Sequence, residues 1–82
     1  MSMEQTLARL NDLVGDLLEL SDLKLSPDMS AQDVPGWDSL AHVRIVVAAE
    51  QAFGIRFSTS EITSLKTVGD LVKLIDMHSA SR

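Results

Sequence analysis

The strongest constraint on the fold is a break in the middle of the chain, made by Pro27, Pro35 and Gly36. Proline fixes φ and lacks a backbone N–H, so neither proline fits the interior of a helix. The longest apolar segment of the sequence, residues 40–53, follows this break. Its length and its adjacent pair of alanines favour a helix over a strand. We therefore expect a helix at about residues 39–53.

The first position of this expected helix is a serine, Ser39. Asp38 suits the N-cap, where its side chain would accept a backbone N–H, and Gly54 suits the residue that ends the helix. A helix N-terminus has four unpaired N–H groups and a partial positive charge, so it favours a phosphate. We expect Leu40 to face the core and thereby to hold the serine hydroxyl outward.

Capping patterns predict three further helices. Ser2 to Gln5 have the pattern of a capping box, which places the first helix at about residues 3–19. The Ser- and Thr-rich residues 58–61 can cap a short third helix at about 60–65. Thr67 and Asp70 form a capping-box variant for a last helix at about 68–77. We expect the tail from Ser79 onward to be frayed.

The expected core residues recur at helical spacing or lie in the connection 20–37, which is too apolar for a free linker. They are Met3, Leu7, Leu10, Val14 and Leu17; Leu20, Leu23, Leu25, Met29 and Val34; Leu40, Val43, Val46, Val47 and Phe53; Ile55 and Phe57; and Val68, Leu71, Val72 and Ile75. The pattern predicts an all-α fold, a small four-helix bundle with a long loop between helices one and two and a short third helix. Residues 1–82 are expected to form one domain.

The charge is unevenly distributed along the chain. The formal net charge is −5, and residues 1–38 contain eight acids and two bases, whereas residues 39–82 contain four acids and five bases. An acidic chain is a poor partner for nucleic-acid phosphates, so no nucleic acid is expected. There is no cysteine, so any thiol chemistry must come from a cofactor.

Neither a metal site nor a membrane-spanning segment is expected. The acids never cluster at ligand spacing, which argues against a metal site. No apolar run reaches the length of a membrane span, and the N-terminus lacks the pattern of a signal peptide. The expected location is cytoplasmic, and the expected state is a monomer.

Several residues resemble the acyl carrier protein family along nearly the whole chain. They are Asp38-Ser39-Leu40, Val43, Ile45-Val46-Val47, Glu50, Phe53 and Thr67-Val68. The resemblance implies that the Ser39 hydroxyl bears phosphopantetheine through a phosphodiester, between the flanking Asp38 and Leu40. It implies that a phosphopantetheinyl transferase adds the group from coenzyme A, and that its thiol carries acyl groups as thioesters. The chain would then be a carrier and not an enzyme, and the apolar faces of helices two and three could open to hold a short acyl chain.

Two other interpretations remain open for Ser39. Serine is common in the first turn of a helix, so the chain could be a small helical interaction module whose serine is never modified. A hydrolase would need a base near the serine, and His42, three residues later, is the one candidate. No third group is evident to orient His42, and no Gly-rich oxyanion loop follows, so we expect no catalytic residue.

The expected partners are acyl-loading and acyl-processing enzymes. In the family, acids on helix two commonly meet basic patches on partners, but Ala41 and Arg44 stand where acids are expected, and only Glu50 remains well inside the helix. We therefore expect Trp37, His42 and Arg44 to contribute to partner recognition. The Gly-Trp-Asp-Ser-Leu opening is similar to that of discrete carriers of specialised or polyketide-type pathways, more than to the housekeeping fatty-acid carrier.

Overall fold

The computed structural model describes residues 3–80, and it gives no side-chain surroundings for Ala80. Its elements are α1 (Met3–Leu18), a 3₁₀ turn (Ala31–Asp33), α2 (Ser39–Phe53), α3 (Thr59–Thr63) and α4 (Val68–Ala80). No strand occurs among these residues. The predicted all-α class, with a long loop after α1 and a short α3, is confirmed.

The helix ends differ little from those expected. α2 has the expected bounds, α1 ends at Leu18 and α3 spans Thr59–Thr63. α4 continues to Ala80, so the prediction that the chain frays from Ser79 is wrong for these last two helical residues. Ser2, the expected first cap, and residues 81–82 lie outside the described residues.

A contact between α3 and α4 explains the longer last helix. Nε2 of His78 lies 3.0 Å from Oε2 of Glu61. The rings of His78 and Phe57 also make a T-shaped contact, with 5.4 Å between ring centroids. These contacts hold the last turn of α4 against α3, where the sequence had given His78 no role.

The capping signals in the sequence are used as expected. Ser58 and Glu61 form a reciprocal capping box at the start of α3. Thr67 and Asp70 do the same before α4, where the Asp70 N–H donates to the Thr67 hydroxyl at 3.1 Å. Gly54 ends α2 in the left-handed conformation with φ 66°, and its N–H donates to the Glu50 carbonyl. Each cap pairs backbone groups that a helix end leaves unsatisfied.

The core lies where α1, α2 and α4 pack on one another. Its buried members are Leu10, Val14, Leu25, Val34, Ile45, Ala49, Phe53, Ile55, Val68, Leu71, Val72 and Ile75. The polar residue Thr6 is buried beside them, and its hydroxyl donates to the Asp76 carboxylate and thereby joins α1 to α4. The expected core residues of the loop, of residues 55–57 and of α4 all lie in this core or pack against it.

The expected apolar stripe of α2 is partly wrong. Leu40, Val43 and Val47 are 69%, 57% and 44% exposed. Val46 and Phe53 are buried as expected, and the other buried residues of this helix are Ala41, Ile45 and Ala49. Ala41 and Ala49 on the inner face allow α2 to pack closely on its neighbours, and the apolar residues at 40, 43 and 47 lie on the outer face. Met3 and Leu17 of α1 were also expected inside and are exposed, at 43% and 37%.

The long loop is fastened to the bundle by hydrogen bonds as well as by apolar contacts. The Asn11 side chain donates to the Leu23 carbonyl at 2.9 Å and accepts from the Leu25 N–H at 2.6 Å. At the other side, the Gly69 N–H donates to the Pro27 carbonyl at 2.8 Å. The loop therefore has a defined path between α1 and the start of α4, and it delivers the chain to the start of α2.

Candidate attachment site at the start of the second helix

A tight turn leads into α2. The Trp37 N–H donates to the Val34 carbonyl at 3.2 Å, which closes a turn over Pro35 and Gly36. Gly36 has φ 85°, a conformation that glycine adopts without the steric cost of a side chain. Proline followed by a residue of positive φ is the pattern of a type II turn. The Pro-Gly pair thus sets where Trp37 and Asp38 lie.

Asp38 caps the helix as expected, while Ser39 is exposed. Oδ1 of Asp38 accepts the Ala41 N–H at 2.8 Å. Among residues 3–80, the N–H groups of Ser39 and Leu40 have no hydrogen-bond acceptor. The Ser39 hydroxyl therefore stands beside two free N–H groups at the positive end of a 15-residue helix. Such an environment stabilises a phosphate group bound there.

Leu40 is not the core residue that the sequence predicted. Leu40 is 69% exposed, the highest value among the exposed large apolar residues within residues 3–79. The adjacent Ala41, 7% exposed, takes the inward position. Ser39 is thus kept outward by the Asp38 cap and by the burial of Ala41, and Leu40 forms part of the surface around it.

Trp37 and His42 form one wall of an open groove at Ser39. The groove measures about 380 Å³ and is lined by Ala31, Trp37, Asp38, Ser39 and His42. The Trp37 indole N–H donates to Nδ1 of His42 at 3.2 Å. Both side chains are half-buried, so Trp37 is neither fully enclosed nor fully exposed. Trp37 packs against the core with one part and borders Ser39 with another.

A second, smaller cavity lies behind this wall. It measures about 30 Å³ and shares Ala31, Trp37 and His42 with the groove. Its other lining residues are Leu65, Lys66, Thr67, Val68 and Leu71. This volume holds about one or two water molecules. An acyl chain would require the wall or the neighbouring helices to move.

The arrangement does not suit nucleophilic catalysis. Because the indole is a donor only, the Nδ1 atom of His42 must accept, and its proton then sits on Nε2. A base directed at Ser39 would need a free acceptor nitrogen and a third group to orient the ring. Within the described chain, the only hydrogen-bond partner of the His42 side chain is Trp37, and no cluster of potential metal ligands occurs.

The two charged residues singled out on α2 have different surroundings. Arg44 is exposed. Glu50, the only acid of α2, accepts the Phe57 N–H through Oε2 at 2.9 Å. This bond fixes the segment that follows Gly54 and gives Glu50 a structural role.

The comparisons with known proteins agree with this geometry. Residues 8–75 match the family model described as "Phosphopantetheine attachment site". The chain belongs to the acyl carrier protein family. Proteins of this family are non-catalytic carriers with a covalently attached phosphopantetheine, so the predicted class, cofactor and lack of enzymatic activity are confirmed. The family also implies a phosphopantetheinyl transferase and acyl-processing enzymes as partners.

Relatives cover nearly the whole chain. The acyl carrier protein of Acidothermus cellulolyticus is 37% identical over 75 residues, which are 92% of this chain and 89% of that protein. The acyl carrier protein of Renibacterium salmoninarum is 39% identical over 74 residues, 90% of this chain and 91% of that protein. A solution NMR structure of holo acyl carrier protein from Geobacter metallireducens is similar with a TM-score of 0.87 and 34% identity, covering 93% of this chain and 87% of that one.

Membrane insertion has no support in the described helices. None of those within residues 3–80 has the length and apolar character needed to cross a bilayer.

Proposed function

We propose that Ser39 is the residue to which phosphopantetheine is attached, and that the chain carries acyl groups on it between enzymes. The observation that carries the proposal is the exposed Ser39 hydroxyl in an open groove at the capped start of α2. A transferase must bring both coenzyme A and its own active site to this hydroxyl. A serine on an exposed helix end allows that approach, whereas a serine in a closed cleft would not.

The residues at this position fit the cofactor. The free N–H groups of Ser39 and Leu40 would favour the negative charge of a phosphodiester there. Asp38 holds the first turn through the Ala41 N–H and leaves the first two N–H groups unused. When bound, the group supplies a thiol on a flexible arm, and that thiol carries acyl groups as thioesters. The protein itself provides the attachment point and a surface for partners, and the tether raises the effective concentration of cargo at each partner.

The pathway is proposed to be a specialised branch of acyl metabolism, such as polyketide synthesis, with its own acyl-loading and acyl-processing enzymes. Arg44 occupies an exposed position on α2 where carriers that serve basic partner patches present an acid, and Ala41, the other such position in the sequence, is buried here. Glu50 is engaged by the Phe57 N–H. Trp37, His42 and Arg44 are the proposed recognition residues near Ser39. Three expectations stay predictions. They are that the apolar faces of helices two and three open to hold a short acyl chain, that the location is cytoplasmic and that the chain is a monomer.

An interaction module with an unmodified Ser39 is the alternative. The exposed Leu40, Val43 and Val47 favour it as well, because an apolar helix face can bind a partner without any cofactor. The two functions differ in whether the serine reacts.

The deciding experiment treats the purified chain with coenzyme A and a broad-specificity phosphopantetheinyl transferase and measures the intact mass. We expect one phosphopantetheine per chain in the wild type and none in Ser39→Ala. Ser60→Ala is the matched control, because Ser60 is also an exposed serine in the first turn of a helix, and this variant should be modified fully. A wild-type chain that stays unmodified with several transferases would support the interaction module.

A further inference from the structure

The outer face of α2 carries an apolar stripe that begins beside Ser39. Leu40, Val43 and Val47 are 69%, 57% and 44% exposed, and they follow one another at intervals of three and four residues. Side chains at this spacing share one face of a helix. Exposed apolar residues that are contiguous, unlike scattered ones, mark surfaces that bind other molecules.

The charged side chains without partners on this face are positive, although the chain as a whole is acidic. Arg44 and Arg56 are exposed, and neither has a hydrogen-bond or ion-pair partner among residues 3–80. Arg56 borders the same depression as Val47, at the far end of α2. Glu50 also borders that depression, but its carboxylate accepts the Phe57 N–H. On a chain of net charge −5, this face offers two arginines without partners, whereas the carboxylates of Glu50 and of the Asp38 cap each accept a backbone N–H.

We propose that the α2 face, defined as Leu40, Val43, Arg44, Val47 and Arg56, docks an acyl-processing enzyme whose contact surface is apolar at its centre and rimmed by carboxylates. Charge complementarity selects this occupant. Arginines placed next to a basic patch on a partner would lower the affinity and slow association, whereas carboxylates opposite the arginines would raise the affinity and speed association. The apolar stripe accounts for the centre of the contact, where charged residues are depleted in protein interfaces.

The position of the stripe links this surface to the cargo. Leu40 is the immediate neighbour of Ser39, so an enzyme that takes cargo from an arm on Ser39 lies against the start of α2. The inference rests on the proposed function in this respect. It adds the chemistry of the partner, since the same attachment serine would serve a partner of either charge.

The test uses one enzyme in two charge states. The probe is a fatty-acid-synthesis condensing enzyme with a basic carrier-docking patch, together with a variant of it whose patch lysines and arginines are replaced by glutamate. Each is assayed with the acyl-loaded chain, and kcat/KM for acyl transfer is measured at low salt. Intact mass first establishes that each chain is fully loaded, and the intrinsic activity of each enzyme is measured with an acyl-pantetheine substrate that lacks the protein.

After normalisation to acyl-pantetheine, we expect the wild-type chain to favour the acidic-patch enzyme by about tenfold or more. Arg44→Glu combined with Arg56→Glu should reverse that preference, and Lys24→Glu, the same change of charge on the exposed long loop, should leave it in place. The preference should shrink as salt rises, because exposed charges are screened. Leu40→Ser and Val43→Ser should raise KM for both enzymes at unchanged helix content.

The results separate the two proposals. Full loading with no preference, or with a preference for the basic patch, overturns the docking proposal and leaves Ser39 as the attachment site. Reversal by Lys24→Glu as well would show a general effect of net charge and would also overturn it. Chains that cannot be loaded overturn the proposed function and with it the docking proposal.

Discussion

The indole N–H of Trp37 donates to Nδ1 of His42 at 3.2 Å, across the N-cap and the first helical residues of α2. Trp37 belongs to the loop and His42 to the helix, so the bond ties the chain on both sides of Ser39 together. The two rings are tilted by 35° with 6.2 Å between their centroids. Together they separate the open groove at Ser39 from the small cavity behind it.

His42→Ala should therefore loosen Trp37 without unfolding the protein. A net hydrogen bond contributes about 0.5–1.5 kcal/mol, and we expect a loss of that size in the free energy of unfolding measured in urea. Trp37 is the only tryptophan, so its emission should shift as its N–H turns to water. Arg44→Ala, at an exposed position two residues further along the same helix, should leave emission and stability unchanged. An unshifted emission spectrum in His42→Ala would show that the bond does not fix the ring.

The inner and outer faces of α2 should differ sharply on truncation. Ile45 is fully buried, so Ile45→Ala should cost about 2–5 kcal/mol of unfolding free energy. Val43, 57% exposed on the same helix, should cost no more than about 0.5 kcal/mol when changed to Ala. The sequence pattern had placed Val43 in the core. Similar losses for the two variants in urea unfolding would contradict the orientation of α2.

Gly69 should not tolerate a side chain. A Cβ added there would lie 2.8 Å from the Pro27 carbonyl oxygen, a backbone atom that the Gly69 N–H already contacts. Gly69→Ala should cost about 1–3 kcal/mol, the usual range for overpacking. Lys73→Ala, an exposed position on the same helix, is the control and should stay within about 0.5 kcal/mol of wild type. If Gly69→Ala left the free energy of unfolding unchanged, the loop would be able to move away from α4 freely.

The α3 cap should make stability depend on acid pH. The Ser58 N–H lowers the pKa of Glu61 from its usual 4.5, and His78 adds to the lowering. A carboxyl group with a lower pKa in the folded state stabilises the fold above its unfolded pKa, and this contribution is lost as pH falls through the folded value. At pH 7, the midpoint of urea unfolding should therefore be higher for the wild-type protein than for Glu61→Gln.

The difference between these two proteins should vanish toward about pH 3, below the ordinary range of glutamate. Glu19→Gln is the control, because Glu19 is exposed and its side chain has no hydrogen bond within residues 3–80. A wild-type advantage that persists unchanged at acid pH would show that the Glu61 charge is not its source.

Local signals in the sequence were sufficient to predict the helices and where they start. Proline and glycine punctuation, the Asp38 cap, the possible caps at residues 58–61 and the Thr67 capping box place the helix starts to within a residue. Each of these features acts over three or four residues, so its outcome does not depend on the rest of the fold. Ser39 was also expected to be exposed, but the reason differs from the one predicted: Leu40 lies on the surface, and the burial of Ala41 keeps the serine outward.

The orientation of α2 could not be read in the same way. The helix α2 has apolar residues on two faces. Periodicity alone does not distinguish a face that packs on the core from a face that is exposed for a partner. The stripe Leu40, Val43 and Val47 was therefore assigned to the wrong side. The bonds of Thr6 to Asp76 and of Asn11 to the long loop were missed for a related reason. Their partners are distant in sequence and meet only after the helices pack.

The most direct test of the central claim is to locate the modification by mass spectrometry. The wild-type chain, loaded with coenzyme A by a transferase, is digested, and the peptide that contains Ser39 is fragmented. The account predicts a single phosphopantetheine on Ser39 and an unmodified peptide containing Ser58, Ser60 and Ser64. Phosphopantetheine on any other residue, or an unmodified Ser39 in a chain that transfers acyl groups, would contradict it.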